Sequence, residues 1–255
     1  MTSEKLTECL ALVIGNSRLH WGYFKDRNLQ NTWDTSHCFQ SINTVRLPSN
    51  FFPSHVPNSL PLILASVVPS QTKLWSIYHN INILNLEDIP IKNLYSTIGI
   101  DRVLAVFGAG KMYGFPCLVI DAGTALTLTG SDSDHTLIGG AILPGLKLQF
   151  DSLSTKTAAL PNINLPKSLP NPWAINTTDA ITSGILYTVL SGIKSFIDDW
   201  LNKYPRSQII LTGGDSVQLY NYFQQQSYEQ WEQLKVDKNL IFWGMRSLVE
   251  NSKSL

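Results

Sequence analysis

Asp121-Ala122-Gly123-Thr124 sets a carboxylate, a glycine and a hydroxyl in one turn between the apolar runs Cys117–Ile120 and Ala125–Thr129. Such a turn suits a phosphate and its cation. The bare glycine lets backbone approach, successive N–H groups face an anion, and a carboxylate oxygen is a hard ligand for a metal ion. The same shape occurs near the start of the chain, where Leu10–Ile14 runs into Gly15-Asn16-Ser17 and returns through Leu19–Phe24. The two turns stand about half the chain apart, which predicts a duplicated phosphate-binding fold.

Other nucleotide-binding signatures do not fit. Gly110-Lys111 is followed by Met112 and lacks the earlier glycine of a P-loop. Gly108-Ala109-Gly110 with Gly114 misses the dinucleotide fingerprint by one residue and sits in a helical pattern. Protein-kinase signatures are absent.

The elements that must hold the two turns alternate between strand and helix. In the first half, Pro61–Val68 reads as a buried strand, Gln71–His79 as a helix, and Gly99–Tyr113 as a helix with a broad apolar face. Thr35–Ser59 is rich in turn residues. Gly114-Phe115-Pro116 places the domain boundary, giving domains 1–115 and 116–255. The second half continues with strands at Cys117–Ile120, Ala125–Thr129 and Leu137–Leu143 and a helix over Gly145–Thr157. A proline-rich loop follows, then a long helix over Thr177–Lys203. Gln208–Leu211 is a short strand that delivers Thr212-Gly213-Gly214-Asp215 into another helix. Leu240–Trp243, then Gly244 and a final helix, close the pattern. The fold class is α/β, with a mixed sheet in each half.

The 255 residues carry 19 basic and 19 acidic side chains, a formal net charge of +0, with no long run of either sign. A nucleic-acid partner would want a basic face, so none is expected. Cys9–Ile14 is far shorter than the ~20 residues of a membrane span, and no membrane association is expected. Cys9, Cys38 and Cys117 show neither zinc nor redox spacing and read as small apolar fillers in a cytoplasmic protein. Trp173 in the proline-rich loop reads as core or interface packing, and His37, His55, His79 and His135 as surface residues.

Seven segments, in order, resemble the type III pantothenate kinases: Ser66–Pro69, Gly99-Ile100-Asp101-Arg102, Asp121–Ala125, Gly139–Gly145, Thr157–Pro161, Asn176-Thr177 with Ala180 and Gly184, and Thr212–Asp215. The resemblance spans nearly the whole chain. It implies two similar actin-like (ribonuclease H-like) domains around a nucleotide cleft. The implied reaction is phosphorylation of pantothenate by ATP to 4′-phosphopantothenate, the first step of coenzyme A biosynthesis. It further implies a homodimer with a shared active site, Mg2+ accompanying ATP, and a monovalent cation, K+ or NH4+.

Matched to the family's motifs, Asp101 corresponds to the catalytic base, though aspartate is also a favoured helix cap. Arg102 is a fork for a carboxylate or phosphate, or else a surface ion-pair partner. Tyr95, Gly99, Ile100 and Thr177 complete the substrate set implied by the resemblance, with Thr177 equally readable as the cap of the long helix. Asp121 falls at the monovalent-cation position, or forms a turn-stabilising Asx motif. Thr124, and the segment Val13-Ile14-Gly15-Asn16-Ser17-Arg18-Leu19-His20, fall on ATP-binding positions. Gly213 and Gly214 fit either a loop against adenine or an ordinary helix-entry turn.

The chain departs from the family at three places. Val13 replaces the first turn's aspartate and cannot ligate a metal, and Ser17 replaces its threonine. His20 stands at a frequent lysine position. Lys92 stands where the family usually has tyrosine, with Tyr95 as the nearby substitute. Two alternatives follow: another small-molecule kinase of the superfamily, or a degenerate homologue that binds nucleotide or pantothenate as a regulatory protein.

Overall fold

A three-stranded antiparallel meander begins each half of the chain, and in both halves the first strand is then flanked by parallel strands. The computed structural model describes residues 8–39, 42–157, 160–226 and 233–251. Ala158-Ala159 of one family-like segment and Trp231 lie outside the described residues. The first meander is β1 (Glu8–Ile14), β2 (Leu19–Lys25) and β3 (Asn28–Thr35), followed by β4 (Leu62–Ser66), the short helix α1 (Pro69–Trp75) and β5 (Ile81–Ile83). The sheet order is β3-β2-β1-β4-β5, with β4 and β5 parallel to β1.

After α2 (Ile100–Tyr113), the second meander is β6 (Cys117–Ala122), β7 (Ala125–Ser131) and β8 (Leu137–Pro144). The helices α3 (Leu146–Lys156) and α4 (Thr177–Lys203) lead to β9 (Gln208–Thr212), α5 (Ser216–Gln224) and β10 (Leu234–Val236). Here the order is β10-β9-β6-β7-β8, the same arrangement strand for strand. The last helix is α6 (Leu240–Asn251).

β1 is almost continuously apolar because both its faces are covered, whereas β3 alternates half-buried and exposed positions as an edge strand does. The β2–β3 turn places Asp26 and Arg27 at φ 48° and 67°, the left-handed pair that a two-residue hairpin requires. No glycine marks that turn, and the polar alternation of Asn28–Thr35 is weak, so this strand lacks a clear sequence signal. β5 and β10 are three residues each, too short for periodicity to register.

By contacts the chain divides into Met1–Lys111 with Ile241–Leu255, and Met112–Leu240. The first unit's core packs Leu10, Leu12, Ile14 and Trp21 with Leu62, Leu64, Trp75 and Tyr78. On the other side of its sheet α6 covers β2, with Phe242 beside Phe24 and His20. Gly244 meets α2 so closely that an added Cβ would lie 2.2 Å from the Leu104 carbonyl oxygen. That contact explains why the final helix runs unbroken from Leu240 through Gly244: the glycine serves a close crossing and does not break the helix.

In the second unit Leu118, Ile120, Leu126 and Leu128 pack against Leu186, Val189, Leu190, Ile193 and Ile197 of α4, with Leu219 and Phe223 of α5. Helix α4 has the length and composition of a membrane span, but this apolar stripe is buried in the core. Cys9, Cys38 and Cys117 are all buried, and burial pushes the Cys9 and Cys117 thiols up to about 11 and about 12. Trp173 is 93% exposed and belongs to neither core of this chain, so of the two packings expected for it the core one is not found.

Candidate active site

The first glycine turn joins β1 to β2. Ile14 pairs with Leu19, and the Gly15 N–H donates to the Arg18 carbonyl at 3.1 Å, which leaves Asn16, Ser17 and Arg18 exposed at the tip. Val13 is buried and pairs across the ladder with His20. It offers no oxygen, so the residues present do not fit a metal ion held at this position.

Two side chains from outside the turn shape it. Asp34 of β3 accepts Arg18 Nη1 at 2.7 Å and bonds His20 Nδ1 at 2.6 Å. These contacts, the His20 bond first, hold its carboxyl down at about 2. His37 Nε2 donates to the Gly15 carbonyl at 2.8 Å, so this histidine is half-buried against the turn and is not the surface residue expected. Buried Gln71 keeps it there by bonding both the N–H and the carbonyl of Cys38.

The second turn is more tightly built. The Gly123 N–H donates to the Ala125 carbonyl, and the Gly145 N–H to the Thr124 carbonyl. An added Cβ on Gly145 would lie 2.1 Å from the Gly123 carbonyl oxygen. On Gly213, which has φ +91°, it would lie 2.4 Å from Asp121 Oδ1. Gly123 in the β6–β7 turn and Gly213 in the β9–α5 loop thus bring bare backbone to the Asp121 carboxylate, and Gly145 at the start of α3 closes on the Gly123 and Thr124 carbonyls. Thr124 and Gly214 are exposed at its edge. The Asp121 carboxylate and a cluster of peptide carbonyls form a hard oxygen set, which fits a monovalent or divalent cation. Among the described residues, no group of three or more His, Cys, Asp or Glu side chains forms an all-protein metal site.

The third element is the first turn of α2. Asp101 Oδ1 accepts the Arg102 N–H at 2.8 Å. A Cβ on Gly99 would lie 2.4 Å from that same oxygen, so the glycine is what allows the carboxylate to fold back over the helix start. Burial pushes the Asp101 carboxyl above its ordinary range, against the smaller opposing pull of the Arg102 N–H and charge. Arg102 is itself buried, and its Nη1 donates to the Tyr95 hydroxyl at 2.9 Å. Gly99, Ile100, Asp101, Arg102 and Tyr95 therefore form one cluster. In the second unit, Thr177 is exposed at the first turn of α4, whose cap is Asn176, accepting the Asp179 N–H at 2.9 Å. The alternative reading of Thr177 as the cap is corrected by that bond.

Two sheets of identical order, each with a glycine turn closing its first hairpin, define an actin-like fold. A Campylobacter jejuni protein assigned to a Baf family of transcriptional activators superimposes with TM-score 0.64 at 24% identity, covering 94% of this chain and 97% of its own. MreB 5 of Spiroplasma citri, bound to AMPPNP, gives 0.51 at 11% identity, covering 95% and 96%. These likenesses concern the fold alone. The type III pantothenate kinase family model matches residues 9–199. A type III pantothenate kinase from Nostoc sp. is 46% identical over 258 residues, covering 94% of each chain. The chain belongs to the type III pantothenate kinase family.

The sequence reading missed Asp34 and His37. Asp34 sits in the weakly patterned edge strand, and nothing near His37 in the chain points to Gly15. Gly145 ends the family-like segment Gly139–Gly145, and only the fold shows that its N–H closes on the Thr124 carbonyl.

Proposed function

We propose that this chain transfers the γ-phosphoryl group of ATP to the primary hydroxyl of pantothenate, giving 4′-phosphopantothenate and ADP at the entry to coenzyme A biosynthesis. The observation that carries the residue assignment is the half-buried Asp101 carboxylate, folded back by Gly99 beside the paired Arg102 and Tyr95. Phosphoryl transfer asks a protein mainly to position its reactants and neutralise charge, with a group to receive the hydroxyl proton. Asp101 is that group. Its burial raises its proton affinity, which suits a general base.

The Arg102 guanidinium, positioned by its bond to the Tyr95 hydroxyl, orients the pantothenate carboxylate. Ile100 and Gly99 supply backbone beside it, and Thr177 contributes a hydroxyl to the same substrate. The Val13–His20 segment receives ATP phosphates on the exposed N–H groups of Asn16 and Ser17 and on the Arg18 and His20 side chains. Thr124 adds a hydroxyl to a phosphate, and Gly213 and Gly214 present bare backbone to the base. Asp121, with the surrounding turn carbonyls, would hold K+ or NH4+. Mg2+ bound with ATP would supply charge neutralisation at the phosphates. Because Val13 is no ligand, ATP oxygens and the second turn would have to hold that ion. The reading includes a cytoplasmic homodimer with a shared site, without nucleic acid or membrane.

Purified protein with MgATP and pantothenate is expected to form 4′-phosphopantothenate, faster in potassium than in sodium buffer. Folded protein that binds nucleotide yet shows no turnover in either buffer overturns the reading. Equal rates in the two buffers remove the cation role of Asp121.

A further inference from the structure

Val13, His20 and Asp34 lie in a single row across the first sheet, Val13 opposite His20 on β2 and His20 opposite Asp34 on β3. At a strand spacing of about 4.8 Å, Asp34 is two strands from the position that lacks a carboxylate. It does not replace that carboxylate as a metal ligand, because its two oxygens are taken: Oδ2 by Arg18 and Oδ1 by His20. We infer that Asp34 is a positioning residue for the nucleotide phosphates, acting through Arg18 and His20 at the first glycine turn.

Arg18 is the last residue of the turn, and its carbonyl accepts the Gly15 N–H, so its backbone is fixed. Its side chain is 54% exposed and would otherwise sample many rotamers at a cost to each ligand contact. One carboxylate oxygen fixes Nη1 and leaves the other guanidinium donors for an anion. The second oxygen takes Nδ1 of His20, whose ring rests 4.6 Å from Phe242 of α6, so the imidazole is held by a hydrogen bond and by packing. Asp34 neutralises one positive charge and no more. With His20 protonated the three groups carry a net positive charge, and with it neutral they carry none. The cluster offers N–H donors to a phosphate and no spare carboxylate oxygen to a metal ion. The turn thus meets nucleotide through the oriented Arg18 guanidinium and His20 ring.

The inference rests on the reading that Arg18 and His20 meet ATP, so the experiment separates the two. The steady-state KM and kcat of the whole protein are measured for wild type, D34N, D34E, R18Q/H20Q and R18Q/H20Q/D34N, with melting temperatures alongside. D34N is expected to raise the KM for ATP about fivefold, with kcat within about twofold and the KM for pantothenate unchanged, the pattern of lost nucleotide binding. D34E, which keeps the charge, is expected to lie nearer wild type. In the R18Q/H20Q background, D34N is expected to add nothing further, because Asp34 then has nothing to orient. The inference is overturned if D34N leaves the KM for ATP unchanged while R18Q/H20Q raises it, or if the D34N effect persists in full in that background. An unchanged KM for ATP in R18Q/H20Q overturns the underlying assignment of the turn itself. Should D34N not fold, D34E against the two backgrounds decides by the same criterion.

Discussion

Asp101 shows most directly how chemistry and stability oppose one another at a single residue. Its carboxyl is raised by burial, so the ionised form is less stable in the folded protein than in the unfolded chain. The stability linked to this group is therefore present below the ordinary carboxylate pKa and is lost as pH rises through the elevated folded value. Asn at this position keeps an oxygen for the Arg102 N–H and carries no charge. D101N is expected to melt above wild type at pH 7 and to lose that advantage near pH 3. The same variant is expected to bind MgATP with unchanged affinity and to lose about a hundredfold or more in kcat, the range for a general base. Calorimetric titration with nucleotide beside a turnover assay checks both halves. A kcat near wild type removes Asp101 as the base.

Among the elements, α6 carries the sharpest packing constraint. Gly244 sits against the Leu104 carbonyl, and any Cβ there meets backbone that no side-chain rotation can move. G244A is expected to cost about 1–3 kcal/mol, as overpacking does, and to lower the melting temperature without altering the KM of the variant at a permissive temperature. An unchanged melting curve shows that α6 can slide along α2. Much of this level was legible in the chain itself. Apolar runs bounded by glycine and proline located β1, β2, β4, β6 to β9 and α2 to α4, and the Thr177–Lys203 helix has the bounds its 3- and 4-residue apolar spacing suggests. What escaped was short, as in β5 and β10, weakly patterned, as in β3, or nonlocal. Asp34 reaches His20 only through strand pairing, His37 reaches Gly15 only through the Gln71 clamp, and Gly145 meets Thr124 only once β7 and β8 have paired. Local spacing reveals which residues carry chemistry, and tertiary pairing decides what orients them.

For the whole molecule, the repeated strand order means that each unit offers one glycine turn at the same place in its sheet, though the two turns have diverged. The second has its carboxylate within a tight enclosure of glycines, and the first has Val13 at the corresponding place, with Arg18 and His20 both held by Asp34. The units are also unequal in continuity. The second is a single stretch, Met112–Leu240, while the first takes its last helix from beyond it. A chain stopped after Asn239 is expected to yield a protease-resistant core from the second unit, while the first, with Phe24 and Leu104 uncovered, is digested. Mass spectrometry of the resistant fragments checks this, and survival of first-unit fragments alongside the second contradicts it.

The placement of α6 also sets an order of events during synthesis. As the chain leaves the ribosome, β1 and β2 emerge early, but the helix that covers their outer face follows only after the entire second unit has been made. Until then His20 and Phe24 lack the Phe242 ring that covers them, even where the opposite face of the strands has packed. A nascent chain released before α6 has every strand of the sheet that carries the first glycine turn but lacks the helix that covers its outer face, so the position of this helix ties the burial of that face to translation through Asn251.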